Sequence, residues 1–223
     1  MEFVEYADRE MMMVTLADRL SSELKSYLLH QDHASLAVPG GTTPGPIFDT
    51  LSGAALDWSR IHVMLTDERW VPEDHERSNT RLLRQRLLTG RAEEAQYVPL
   101  YEPTETPEDA METLAARIGP ELPLSLLLLG MGDDMHTASL FPGADRLDDA
   151  LRSDAPPVMA MRGGGAPEPR VTLTGPVLRG AMSTHVLITG PSKREALERA
   201  RHLKPSEAPV AAILGDATVH WAE

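Results

Sequence analysis

The residues best equipped for chemistry lie together between Leu126 and Gly143, in LLLLGMGDDMHTASLFPG. Asp133, Asp134 and His136 follow a glycine turn, Gly130-Met131-Gly132, that itself follows an apolar run. Histidine is the side chain whose ordinary titration range suits proton transfer near neutral pH. A run of four leucines marks a strand buried on both faces. Ligands bind beyond the carboxyl ends of the strands in an open parallel sheet. His136 is therefore read as a catalytic base at a strand end. Two other readings of the stretch are weaker. Gly130 and Gly132 begin a dinucleotide fingerprint, but Met135 stands where its third glycine belongs. Asp133, Asp134 and His136 could ligate a metal, but one histidine and two adjacent carboxylates are thin support, and the chain has no cysteine.

Three other places carry groups of the same kind. Pro39-Gly40-Gly41-Thr42-Thr43-Pro44 follows the apolar run 34–38 and leads into a helix, with Thr43 expected to cap it and Pro44 in its first turn. Gly40, Gly41 and Thr42 could cradle a phosphate or a sugar hydroxyl, or form an ordinary strand-to-helix turn. Asp67-Glu68-Arg69-Trp70-Val71-Pro72 ends a strand over 60–66. Arg69 could bind a carboxylate or phosphate through its planar fork. Asp67 could orient a histidine or accept from a hydroxyl. A surface Asp–Arg pair is the plain alternative. Lys193 follows Gly190-Pro191-Ser192 and falls in the first turn of a helix, where a cation opposes the helix dipole. A bound anion would relieve that conflict.

These residues need elements to hold them. Leucines and methionines spaced by three and four over residues 10–30 predict an amphipathic helix, with Met12 and Met13 as core filler. Strands are expected at 34–38, 60–66, 126–129, 156–161, 184–189 and 209–214. YVPLY at 97–101 is expected at a sheet edge because Pro99 cannot donate to a ladder. RVTLT at 170–174 alternates like a half-exposed strand. Ser78-Asn79-Thr80 should cap a helix, and residues 108–118 should form another. Arg162 to Pro169, RGGGAPEP, is the best hinge candidate. Strands alternating with helices predict an α/β fold with a doubly wound, mostly parallel sheet, in one domain over 1–223.

Composition narrows the class. The chain has 223 residues, 42% of them hydrophobic, enough for a sizeable core. Lacking cysteine, it can form no disulfide. The acidic start MEFVEYADRE is not expected to be a signal peptide, and the apolar runs are too short to span a bilayer, so a cytoplasmic protein is expected. A formal charge of −13 argues against nucleic acid or an anionic membrane as partner. An anionic small-molecule substrate would then need local positive charge against an unfavourable global field.

The blocks VPGGTTP at 38–44, LTDERWVPEDHERSN at 65–79, LLLLGMGDDMHTASLFPG at 126–143, RVTLT at 170–174 and GPSK at 190–193 stand together in one family's order. In these the chain resembles 6-phosphogluconolactonase, of the glucosamine-6-phosphate isomerase/6-phosphogluconolactonase family. The resemblance implies a Rossmann-like fold of the glucosamine-6-phosphate deaminase type. It also implies hydrolysis of 6-phospho-D-glucono-1,5-lactone to 6-phospho-D-gluconate in the oxidative pentose phosphate pathway. His136 would take the proton from water, Arg69 and Lys193 would bind phosphate or developing negative charge, Gly40, Gly41 and Thr42 would face substrate, and Asp67 would be the strand-end acid. No metal or organic cofactor is implied, and a monomer is expected. The chain departs from the family at Met135, where glycine is usual before the histidine; if that position takes a positive φ, methionine costs about 1–2 kcal/mol. The alternatives are a deaminase or isomerase of amino-sugar phosphates and a phosphosugar-binding protein that has lost turnover.

Overall fold

A computed structural model describes residues 1–163 and 165–223. In chain order the strands are β1 (Glu2–Glu5), β2 (Ala34–Val38), β3 (Ile61–Leu65), β4 (Asp67–Arg69), β5 (Gln96–Val98), β6 (Leu126–Gly130), β7 (Val158–Met161), β8 (Arg170–Leu173), β9 (Ser183–Thr189) and β10 (Thr218–Ala222). The helices are α1 (Arg9–Leu28), α2 (Gly45–Ser52), α3 (Asn79–Arg86), α4 (Met111–Ile118), α5 (Leu147–Leu151), α6 (Gly175–Arg179) and α7 (Pro191–Ala200).

Seven strands form one parallel sheet in the order β1-β10-β9-β6-β2-β3-β5. From β2 the chain winds outward through β3 to β5; from β6 it winds the other way through β9 to β10. The order therefore reverses between β2 and β6, and a crevice opens beyond their carboxyl ends. The doubly wound expectation holds, and so does the edge position of β5. The centre of the sheet is apolar on both faces: Leu126 to Leu129 are fully buried. Burial of each such side chain contributes about 1.5–3 kcal/mol. α1 lies across β2, β6 and β10. Asp8 caps it by accepting from Met11 N at 2.7 Å, and Met12, Leu16, Leu20 and Leu24 form its buried stripe. None of the helices is long and apolar enough to cross a membrane among the described residues.

Several local expectations fail for identifiable reasons. The stretch 209–214 is not a strand: Pro209–Ala212 is a 3₁₀ turn, where Val210 N donates to Met135 O. The closing strand is β10, TVHWA, whose β-branched and aromatic residues fit a pleated surface better than the alanines of APVAAIL. It pairs with β9 and with the unforeseen edge strand β1. β8 is not half-exposed, because Val171, Thr172 and Leu173 are all buried. The Thr172 hydroxyl is satisfied by Ser139 N and Leu173 O. Nor does β8 join the main sheet. It pairs antiparallel with β4 and β7 in a second, three-stranded sheet. Thr66 links the two sheets, since its N–H donates to Val38 O and its carbonyl accepts from Leu173 N. Thr43 does not cap α2; Pro44 occupies the cap position with no side-chain hydrogen bond. Ser78 does cap α3, accepting from Arg81 N at 3.3 Å. The proposed hinge 162–169 is tied at both flanks, by an Arg162–Glu108 ion pair and an Arg77–Glu168 pair at 2.9 Å; Gly164 lies outside the described residues.

Candidate active site

A cavity of about 360 Å³ opens at the carboxyl ends of the parallel strands. Gly40 and Gly41 reach it from the end of β2, and Asp67 and Arg69 from β4 just beyond β3. Gly132 and His136 enter from the loop after β6, Arg170 from β8 and Lys193 from α7. Of the residues that the family resemblance puts at the site, all line it except Thr42, and Asp133 and Asp134 stand behind its lining. Thr42 borders a neighbouring hollow beside α1 with Arg9 and Met13, and Thr43 lines the cavity instead.

The loop after β6 turns back on itself: Gly132 N donates to His136 O at 2.9 Å, and Met135 N to Gly132 O at 3.0 Å. This puts the imidazole directly over Gly132, where a Cβ would lie 2.1 Å from His136 Nδ1 and 2.4 Å from Asp134 Oδ1. Only glycine leaves room for the pair. His136 Nδ1 is 2.5 Å from Asp134 Oδ1. Burial would raise the Asp134 carboxyl, but its hydrogen bond with the imidazole and the attraction between the two hold it below the usual carboxylate range. With the ring proton on Nδ1, Nε2 is left as an acceptor. Met135 takes φ 67°, the left-handed conformation that glycine adopts freely.

Asp67 is not the residue that orients the histidine; Asp134 is. Asp67 Oδ2 instead accepts from Ser139 Oγ at 2.6 Å and lies 3.8 Å from Arg170 Nη1. It thus joins the histidine loop to the second sheet. Glu68 beside it is almost fully buried. Its carboxylate accepts from the backbone N–H groups of Arg69, Asn79 and Thr80 and from the Ser78 and Thr80 hydroxyls. Burial still raises Glu68 above its ordinary value, against those bonds. This anchor fixes the start of α3, whose Asn79 side chain packs where a Cβ on Gly40 would be, at 2.1 Å.

The cations converge. Register pairs Arg69 directly opposite Arg170 across β4 and β8. Like charges facing each other across strands are destabilising unless something neutralises them. The Nε groups of both are buried and have no hydrogen-bond partner among the described residues. Burial lowers Arg170 from its ordinary value, Asp67 pulls it back up, and Arg69 pushes it down. Phe141 stands between these groups and the histidine, its ring centroid 4.6 Å from that of His136 and 5.8 Å from the Arg170 guanidinium carbon. Lys193 Nζ donates to Met131 O at 2.7 Å and lies 3.8 Å from Asp133 Oδ2. The sequence points to Asp134 only as a possible metal ligand, and to neither Arg170 nor Asn79 as a site residue. Arg170 opened one of the family-like blocks, and Asp134 stands two residues before the histidine, so both carried a usable signal.

Comparison with known proteins gives the family. The family described as glucosamine-6-phosphate isomerases/6-phosphogluconolactonase matches residues 7–221. A 6-phosphogluconolactonase of Rhizobium meliloti is 42% identical over 214 residues, covering 93% of this chain and 92% of that one. One from Pseudomonas aeruginosa is 40% identical over 210 residues, covering 92% of this chain and 88% of its own. The crystal structure of a 6-phosphogluconolactonase from Shewanella baltica superposes with a TM-score of 0.96 at 30% identity, covering 100% of this chain and 97% of that one. The chain belongs to the glucosamine-6-phosphate isomerase/6-phosphogluconolactonase family.

Proposed function

We propose that the protein hydrolyses 6-phospho-D-glucono-1,5-lactone to 6-phospho-D-gluconate, the lactone-opening step of the oxidative pentose phosphate pathway. The observation that carries this reading is the facing pair Arg69 and Arg170, which line one cavity with Lys193 and His136. Three cations around a small cavity in a chain of net charge −13 call for an anionic ligand. The names of the relatives supply the lactone.

In the proposed mechanism Asp134 holds His136 by Nδ1, and Nε2 takes a proton as water attacks the lactone carbonyl carbon. The carbonyl oxygen becomes an oxyanion, stabilised by the nearby positive charge of the cavity. Collapse breaks the bond from that carbon to the ring oxygen, and the imidazolium returns its proton to the leaving oxygen. Product is the free acid with its hydroxyl restored. Arg69, Arg170 and Lys193 divide two tasks, holding the phosphate and stabilising the oxyanion. The reading carries with it a monomeric enzyme in the cytoplasm, where a phosphorylated sugar is confined by its charge.

The test is to supply the lactone and follow 6-phosphogluconate through a coupled, NADP-reducing dehydrogenase. Turnover well above spontaneous hydrolysis is expected. Ammonia release from glucosamine 6-phosphate with no lactone turnover would overturn the reading in favour of a deaminase. Phosphosugar binding without either reaction would make the protein a binder.

A further inference from the structure

At the opposite end of the sheet, away from the cavity, a second cluster gathers side chains of quite different chemistry. His33 immediately precedes β2, His62 is the second residue of β3, and Glu121 ends the 3₁₀ turn Gly119–Glu121 that leads toward β6. Register pairs Ser35 with His62. Alternation along the strand puts His33 on the same face as Ser35. The Ser35 hydroxyl donates to Glu121 O at 2.9 Å, which fixes the turn against the strand. Both imidazoles then meet one carboxylate. His62 Nδ1 lies 2.9 Å from each Glu121 oxygen, and His33 Nε2 lies 3.3 Å from Oε2. The rings stack, with centroids 4.2 Å apart and planes 18° from parallel. Glu121 is 9% exposed, while His62 and His33 are 25% and 39% exposed.

We propose that His33, His62 and Glu121 form a binding site for a divalent transition-metal ion of the zinc class. One potential ligand atom from each residue lies within 4.8 Å of the other two. A four-coordinate ion with bonds near 2 Å needs its ligand atoms roughly 3.3 Å apart, so small rotations of the two partly exposed rings suffice. Two imidazole nitrogens and one carboxylate suit zinc, cobalt, nickel or copper, and are poor for magnesium or calcium, which take oxygen. Two neutral imidazoles and one carboxylate carry a single negative charge, which a dication more than neutralises. Three protein ligands on a partly exposed face leave room for water. The three residues come from the amino ends of β2 and β3 and from the approach to β6. A bound ion would therefore cross-link the centre of the sheet at the end remote from catalysis. The site is independent of the lactonase reading, because none of its residues lines the cavity.

Equilibrium dialysis of the chelator-treated full-length protein against micromolar Zn²⁺, with Co²⁺ absorption as a second readout, tests the site. We expect one Zn²⁺ per chain, visible d–d bands with Co²⁺, and a loss of affinity of at least tenfold in His33→Ala and in His62→Ala. His136→Ala should bind Zn²⁺ like the wild type. His33 is partly exposed and lies outside any strand, so His33→Ala decides the matter if His62→Ala does not fold; circular dichroism checks both. No Zn²⁺ retained by the wild type would leave the cluster as a hydrogen-bonded clamp on Glu121 and overturn the proposal. Undiminished binding in folded His33→Ala, or binding lost in His136→Ala, would overturn it equally.

Discussion

Asp134 and His136 share a hydrogen bond of 2.5 Å and together fill the space where Gly132 has no side chain. If Asp134 fixes the proton on Nδ1, removing its charge should misdirect the base without disturbing the fold. Asp134→Asn is expected to lower kcat by roughly 10²–10⁴-fold, the usual worth of general base catalysis. Gly132→Ala should be as damaging, because the new methyl would displace both groups. Steady-state kinetics on folded variants checks both. Normal kcat in Asp134→Asn would mean that another group orients the ring.

The facing arginines and Lys193 can be separated by kinetics. A charge-assisted hydrogen bond is worth about 1.5–3 kcal/mol, or roughly 10–100-fold. A cation that only holds the phosphate stabilises ground and transition states alike, so its loss raises KM and spares kcat. We expect Lys193→Ala to raise KM by that factor. A fall in kcat at constant KM would assign Lys193 to the oxyanion. For Arg170→Ala we expect a loss in kcat/KM at least as large, because Asp67 loses its cationic neighbour as well.

Met135 holds a left-handed backbone at φ 67°, which costs a non-glycine residue about 1–2 kcal/mol. Its side chain packs against the core and offsets part of that cost. Met135→Gly relieves the strain but loses this packing and frees the unfolded chain, so stability should change by less than about 1 kcal/mol with activity retained. Met135→Val, branched at Cβ, should be clearly destabilised. Urea denaturation midpoints compare the two, and a Met135→Val variant as stable as wild type would contradict the assigned backbone.

A buried relay links α1 to the far strands of the sheet. Tyr6 OH meets His220 Nδ1 at 2.8 Å, His220 Nε2 meets His185 Nδ1 at 3.0 Å, and His185 Nε2 meets Glu23 Oε2 at 3.0 Å. Two neutral imidazoles satisfy every contact if each donates toward Glu23. Burial, with His185 beside it, holds His220 down to about 3 from an ordinary 6.5. Burial opposes ionisation of Glu23, but hydrogen bonds from His185 and Ser183 outweigh it and keep Glu23 at about 2 against 4.5. Both folded values lie below the unfolded ones. The His220 contribution is therefore whole above pH 6.5 and is lost as pH falls toward 3, and that of Glu23 is lost below 4.5. Stability should fall between about pH 6.5 and pH 3, by up to about 1.4 kcal/mol per pH unit for one proton. His220→Gln should flatten that slope, and an unchanged slope in urea titrations would exclude His220 as its source.

What could be read in the sequence was what local pattern encodes. Leu126 to Leu129 announced a strand covered on both faces, and the glycine turn after it placed His136 at the sheet's carboxyl end. Lys193 is legible as a cation at a helix start, and its ammonium reaches back to Met131 O. Arg170 is not legible as a site residue because its meaning depends on pairing with Arg69, on a strand far away in the chain. The second sheet has no signature beyond short alternating runs, so neither its existence nor the facing arginines could be read locally. The closing strand was misplaced because buried His220 looks polar in sequence, although His185 and Tyr6 satisfy it in the fold. Thr42 was one residue off, since a strand-to-helix turn fixes which neighbours meet the cavity only through its backbone angles.

The most direct test of the account is the turnover of 6-phospho-D-glucono-1,5-lactone by His136→Ala beside the wild type, both shown to be folded. The proposed role predicts a fall in kcat of roughly 10²–10⁴-fold, the range for loss of a positioned general base. A folded His136→Ala protein with wild-type kcat would contradict it and remove the imidazole from the reaction.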